Sequence, residues 1–295
     1  MQTLAEKVQT LRLHAYKAVK LVQFWESALK EHGELRAEQF YLHLGLNHIQ
    51  RKGVEWEGLT LSREPTEAEK IAVKGVSVTQ ESAKEAINKT LLKLRTELID
   101  DGLHQIAKLE PSEYHALILE APKDLEKELR GKLSAIHKQG RQLVANELGK
   151  KDALPDYDDE ELDTLTGLTN ARVANDVQSR IADAAARHRQ AGLEGDELMV
   201  AIADEISGGS VSYIDRASIG LGNKVIGLGR SWEAQRRSDS WGRVEYSALL
   251  DNNVCGPCAS EDGKTANSED DLQPAPNPEC EGSDYCRCFH VYINQ

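Results

Sequence analysis

The sequence predicts a mainly α-helical protein that ends in a small cysteine-rich module with short β-strands. Apolar residues recur at spacings of three and four along several long stretches, which is the periodicity of amphipathic helices. Charged residues make up 29% of the chain and aromatic residues only 5%, a composition that suits exposed helices better than a compact aromatic-rich core. All five cysteines lie between Cys255 and Cys288, so this end of the chain is predicted to carry a site.

The charge and hydropathy of the chain exclude some classes of protein. The formal net charge of −13 argues against a general DNA-coating protein, because phosphate contacts need a local excess of Lys and Arg. No apolar stretch approaches the roughly 20 residues of a membrane span. The N-terminal residues also lack the charged start and apolar core of a signal peptide. We therefore expect a protein without a membrane partner, made in a cytoplasm.

Residues 1–150 are predicted to form a platform of long helices. Thr66, followed three residues later by Glu69, has the pattern of a capping box, whereas residues 53–65 are predicted to be a break. This half has no recognisable catalytic constellation, and we expect no enzymatic activity. The predicted helices cover residues 3–31, 34–51, 66–102 and, from Pro111 or Pro122, the stretch up to Gly149.

Residues 151–165 are predicted to be an acidic linker at a domain boundary. Their dense carboxylates could bind a hard cation, but the spacing and the glycine of a calcium loop are missing. A solvated linker or a helix start is the stronger interpretation. Beyond this boundary, further helices are predicted over residues 171–191, 196–206 and 211–229.

The last of these helices contains a short internal repeat, Ile219-Gly-Leu-Gly222 and Ile226-Gly-Leu-Gly229, which we call the glycine echo. Glycines at this spacing can cradle a phosphate, but neither the third glycine of the dinucleotide-binding pattern nor a Gly-Lys-Ser/Thr is present. A close contact between helices, permitted by the missing side chains, is the better interpretation.

Residues 230–243 mix basic and aromatic side chains. Such a mixture can hold a nucleic-acid backbone and stack on bases. Glu233 and Asp239 reduce the local positive charge, so a structural entry into the cysteine-rich module is the alternative. The candidate nucleic-acid-binding residues are Arg230, Trp232, Arg236, Arg237, Trp241 and Arg243.

The cysteines predict a metal site within a module spanning residues 244–295. A Cys-x-x-Cys turn can direct two thiolates at one ion, and a second cysteine group can complete a tetrahedral shell. Zinc is favoured, because thiolates prefer soft or borderline ions and a small module can use metal binding as folding energy. The candidate ligands are Cys255, Cys258, Cys280, Cys286 and Cys288.

Five cysteines compete for the usual four ligand positions. Cys286 and Cys288 would leave the same face of an extended strand, so Cys280 would be a spare or would replace one of them. His290, on that same face, is a weaker candidate. Disulfides, reduced structural thiols and redox chemistry remain alternatives. Cys255-Gly-Pro-Cys258 matches the thioredoxin pattern, but fewer than forty residues follow it, too few for the rest of that fold.

The order of motifs in the module resembles the C-terminal module of the Mu F-like minor head proteins, also called phage head morphogenesis proteins. The resemblance is specific over about residues 160 to 295, and it identifies residues 166–295 as a head morphogenesis domain. The family usually has His-Pro-x-Cys-Arg-Cys, whereas here Cys280 can stand in place of the histidine and an insertion precedes Cys286. The matching motifs are Leu249-Leu-Asp251, Val254-Cys-x-x-Cys258, Asp262-Gly-Lys264, a Pro-rich loop and Cys286-Arg-Cys288.

The resemblance implies a minor capsid protein of a tailed bacteriophage that associates with the portal vertex and acts in head assembly, and in DNA packaging or ejection. The implied partners are the portal protein, the major capsid or scaffolding protein, and packaged DNA. The implied location is the virion, with the host cytoplasm during assembly. A zinc-containing nucleic-acid-binding protein is the main alternative. A toxin enzyme is a third, because related proteins sometimes carry toxin domains, for which this chain has little room.

Overall fold

A computed structural model describes residues 49–50, 53–155, 160–208, 212–250, 253–282 and 285–294. It confirms a mainly helical fold with a small β region and a C-terminal cysteine cluster. The predicted helix over residues 3–31 and most of that over residues 34–51 lie outside the described residues. The end of the latter prediction is wrong, because Ile49–Gln50 form a strand, β1.

Six α-helices follow one another in the described parts of the chain. The predicted capping box is confirmed at the first of them: Thr66 Oγ1 accepts from the Glu69 amide at 3.2 Å, and the Glu69 carboxylate accepts from the Thr66 amide at 2.8 Å. The helices are α1 (Glu67–Ile106), α2 (Lys123–Glu147), α3 (Glu160–Gln190), α4 (Gly195–Gly208), α5 (Ser212–Arg236) and α6 (Gly256–Glu261).

Short strands form three antiparallel groups. The predicted break over residues 53–65 contains a hairpin of β2 (Val54–Trp56) and β3 (Leu59–Leu61), whose turn has positive φ at both Glu57 and Gly58. The C-terminal sheet has the order β6–β4–β7, and β1 pairs with β5. These remaining strands are β4 (Trp241–Ser247), β5 (Asn253–Val254), β6 (Thr265–Ala266) and β7 (Phe289–Asn294).

The helices share one main core, which does not divide at residue 150. Leu94 of α1 and Leu129 of α2 belong to the same buried cluster as Ile181 of α3 and Val225 of α5. The acidic residues from Glu160 onward are the first turns of α3, so this part of the predicted linker of residues 151–165 is a helix start. Among the residues that the structure describes, no helix combines the length and the apolar character needed to cross a membrane.

The N-terminal turns of α1 pack on the cysteine-rich module instead of the main core. Val73 and Val76 of α1 form a second buried cluster with Leu249 and Phe289 of the module. Leu61 at the end of the β2–β3 hairpin is fully buried in the same cluster. The module is therefore joined to the bundle by an apolar interface of its own.

The glycine echo lies inside α5, where Gly222 packs against Ala83 of α1 and Gly229 allows a close crossing with α2. A Cβ atom added to Gly229 would collide with the carbonyl oxygen of His137, and one added to Gly140 of α2 would lie 2.5 Å from the carbonyl oxygen of Ile226. The interpretation as a helix contact is confirmed. The phosphate-cradle alternative is wrong, because these glycines lie inside helix α5 and not in a loop before a helix N-terminus.

We expect opposite effects from two Gly→Ala substitutions in α2. Gly140→Ala should lower the free energy of unfolding by about 1 to 3 kcal/mol, because the new methyl group overpacks the crossing with α5. A Cβ atom at Gly131 meets none of the described residues within 4 Å, so Gly131→Ala should raise the stability by up to about 1 kcal/mol through helix propensity. Urea denaturation of both variants measures the difference, and equal stabilisation by the two would contradict the close crossing.

Candidate metal centre

The first cysteine pair lies where strand β5 ends and the short helix α6 begins. Cys255 directly follows β5 and precedes the first residue of α6, and Cys258 lies in its first turn. Pro257 at the start of the helix is compatible with this turn, because its missing N–H is one that a helix N-terminus leaves unpaired. Residues three apart on a helical turn lie on one side, so both thiols face the module interior.

The second cysteine group approaches from the other side of the module. Cys280 ends the loop after Pro278, and its amide donates to the carbonyl oxygen of Asn277 at 3.1 Å. Cys286 and Cys288 were predicted to lie on the final strand, but β7 begins only at Phe289. Both cysteines therefore belong to an irregular segment.

The structure brings all five predicted cysteines into one cluster. The Sγ atoms of Cys255 and Cys280 lie 3.6 Å apart, and those of Cys258 and Cys286 lie 3.9 Å apart. Two groups of three have all their Sγ atoms within 4.8 Å of one another: Cys255 with Cys258 and Cys280, and Cys258 with Cys286 and Cys288. These distances resemble the separation of about 3.8 Å expected for thiolates around a tetrahedral zinc ion with bonds near 2.3 Å.

The cluster is buried and reduced. Each of the five cysteines is at most 8% exposed, and all five are free thiols, which argues against the disulfide alternative. The Tyr246 hydroxyl donates to Cys258 Sγ at 3.9 Å. Cys258 belongs to both groups of three and is thus the common member of the cluster. This arrangement could hold a metal ion.

Close packing moves the pKa values of the thiols in opposite directions. The pKa of Cys258 is raised well above its ordinary value, first by its hydrogen bond with Cys280 and then by that with Cys286. The pKa of Cys286 is lowered well below its ordinary value, first by its hydrogen bond with Cys258. The thiols therefore influence one another's ionisation, because like charges at this distance repel. A divalent cation would favour further deprotonation, since the thiolate is the form that binds metals.

His290 is not part of the cluster, so its prediction as a weaker ligand candidate is wrong. Its Nδ1 atom lies 3.0 Å from Glu269 Oε1, and its Nε2 atom lies 2.9 Å from the carbonyl oxygen of Gln273. Both ring nitrogens are thus occupied. The prediction assumed that the strand includes Cys288, but β7 begins one residue later.

The predicted nucleic-acid-binding segment is mostly built into the fold. Helix α5 continues through Arg236, which pairs with Glu233. Arg237 is buried and pairs with the same carboxylate, and the Trp241 indole N–H donates to the carbonyl oxygen of Ala234 at 2.9 Å.

Two further members of that segment make contacts inside the fold. Arg230 is buried against Glu147 at 2.6 Å, and Trp232 lies under the guanidinium of Arg141 at 4.1 Å. Arg243 is exposed on strand β4. Three of the six candidates, Arg230, Arg237 and Trp241, are therefore buried within the fold, whereas Arg236 and Arg243 are exposed.

Sequence patterns did not reveal the ion network that supports the first cysteine pair. The guanidinium of Arg63 bridges the carboxylates of Glu69 and Asp262, with nitrogen–oxygen distances of 2.7 and 2.8 Å. Asp262 Oδ1 also accepts from the Ala248 amide at 2.9 Å, and Glu69 Oε1 accepts from the Ser247 hydroxyl at 2.6 Å. Two of its members belong to sequence patterns, Asp262 to the Asp-Gly-Lys motif and Glu69 to the capping box, but neither pattern indicates Arg63 between them.

Comparison with known proteins adds no further identification. No protein family, curated protein or solved structure matches this chain.

Proposed function

We propose that the cysteine cluster is a structural zinc site. The observation that supports this proposal is the convergence of five buried thiols from two distant parts of the module. Zinc prefers thiolate ligands and takes four of them in closed structural sites. The bound ion would supply folding energy to a module whose strands are only two to seven residues long. Cys258 would belong to the ligand set whichever other three complete it.

We further propose that the protein is a minor head protein of a tailed bacteriophage, acting at the portal vertex in head assembly. The order of motifs from Leu249 to Cys288 supports this proposal, and several of these motif residues have a structural use. Asp262 forms an ion pair with Arg63 and accepts a hydrogen bond from the amide of Ala248, directly after β4. Gly263 has a φ of +82°, a backbone conformation that other residues rarely adopt. The role is structural and not enzymatic.

The long helices would supply the surface for the portal, the major capsid protein or a scaffolding protein. The protein would then act in DNA packaging or ejection without binding the DNA through residues 230–243. The nucleic-acid-binding alternative has less support, because Arg230, Arg237 and Trp241 are buried within the fold. The protein would reside in the virion, having been made in the host cytoplasm.

Quantitative mass spectrometry of gradient-purified virions and immature heads tests the head-protein proposal. We expect this chain at an abundance equal to or lower than that of the portal protein, because a vertex component is present in few copies. The major capsid protein in the same sample provides the internal reference. Absence of the chain from both kinds of particle would refute the proposal without affecting the zinc site.

A further inference from the structure

The second cysteine pair is held by the helical bundle. Cys286, Arg287 and Cys288 belong to neither helix nor strand, yet both cysteines are buried. Backbone polar groups in such a segment need partners other than a regular hydrogen-bond ladder. The directions of the two thiols therefore depend on what holds this backbone.

Helix α5 holds the segment on both sides of Cys288. The Asn223 side-chain amide donates to the carbonyl oxygen of Cys286 at 2.7 Å, and Asn223 is itself buried. Two turns further along the same helix face, the Arg230 guanidinium donates to the carbonyl oxygen of His290. The backbone before and after Cys288 is thus fixed to one face of α5.

Helix α1 holds the residue between the two cysteines. The Gln80 side-chain amide donates to the carbonyl oxygen of Arg287 at 3.3 Å, and Arg287 Nε donates to Gln80 Oε1 at 3.0 Å. The Arg287 guanidinium also reaches Ser77 Oγ at 3.5 Å and Glu81 at 3.4 Å. The segment is consequently clamped between α1 and α5.

We propose that Asn223 and Gln80 are positioning residues for the metal centre, which orient Cys286 and Cys288 by holding the backbone between α1 and α5. This inference rests on the proposed zinc site, and it adds that the bundle completes that site. Residues that orient metal ligands without touching the metal commonly change metal affinity 10- to 100-fold when they are replaced. The bundle and the metal therefore act on the same cysteine pair.

Metal binding by the full chain carrying Asn223→Ala tests this role. We expect its zinc affinity, measured by competition with a chelator, to fall about 10- to 100-fold. We also expect the cobalt-loaded variant to show shifted thiolate-to-cobalt and d–d absorption bands, because the ligand field changes when Cys286 turns. Asn170→Ala is the matched control: Asn170 is a buried asparagine of α3 whose side-chain atoms have no hydrogen-bond partner in the described part of the chain, so both readouts should stay as in the unaltered chain.

Gln80→Met keeps the test decisive if Asn223→Ala does not fold, since methionine preserves the side-chain length and removes both hydrogen bonds to Arg287. Wild-type affinity and an unchanged cobalt spectrum in the folded variants would overturn the positioning role alone. If the unaltered chain binds neither zinc nor cobalt, the zinc site itself is refuted, and this inference with it.

Discussion

Replacing Cys258 by serine is expected to release the metal and to unfold the cysteine-rich module. Cys258 belongs to both groups of three thiols, so its loss breaks the cluster at the shared position. Zinc binding to a structural site is worth about 10 to 16 kcal/mol in small zinc-dependent folds, and losing one ligand removes a large part of that. Metal content after gel filtration should fall from about one ion per chain to a small fraction, and the melting temperature should fall with it.

Ser260→Ala, on the exposed side of the same short helix, should leave metal content and melting unchanged. The remaining four cysteines provide a second comparison. Because five thiols serve four positions, at least one of them should tolerate replacement by serine without loss of metal. Unchanged metal content and unchanged thermal melting in Cys258→Ser would remove the argument for a zinc site.

Glu147→Leu is expected to destabilise the protein by about 3 to 5 kcal/mol, the usual cost of leaving one charge of a buried pair without its partner. The side chains of Arg230 and Glu147 are 2% and 3% exposed. Burial alone would lower the pKa of Arg230, but attraction to Glu147 outweighs burial and raises it, so the guanidinium stays charged. Urea denaturation measures the loss.

The double variant Glu147→Leu/Arg230→Met should recover most of this stability, because it removes both charges together. A deficit of about 1 kcal/mol should remain, since Arg230 also donates to the carbonyl oxygen of His290. Lys93→Ala breaks an exposed pair with Glu128 in the same bundle and should cost less than about 1 kcal/mol. A double variant less stable than Glu147→Leu would contradict this account of the pair.

The features predicted correctly from the sequence are those that depend on neighbouring residues. Apolar spacing and the Thr66–Glu69 capping box located α1, and the grouping of the cysteines identified residues that meet in space. The Ile-Gly-Leu-Gly echo predicted a close helix contact, because glycine removes the side chain that would prevent one. Each of these signals comes either from residues a few positions apart in the chain or from the distribution of a single residue type.

The features that the sequence did not reveal depend on partners far away in the chain. Arg230 lies in a stretch that reads as a basic surface, and only the crossing of α2 and α5 places it against Glu147. The prediction of His290 as a weaker ligand candidate fails because the final strand begins at Phe289 and includes neither Cys286 nor Cys288. The β2–β3 hairpin was predicted as a loop, since strands of three residues carry too little alternation to recognise.

The clamp on the second cysteine pair also sets an order of events during synthesis. About 200 residues separate Gln80 from Arg287, and a ribosome adding 5 to 20 residues per second needs roughly 10 to 40 seconds to make them. Until the end of that interval the N-terminal turns of α1 lack Phe289 and Val291, two of the buried residues that cover them in the folded protein. This face of α1 is therefore completely covered only after the segment of the second cysteine pair has been made, and binding of the proposed zinc ion would then complete the folding of the module.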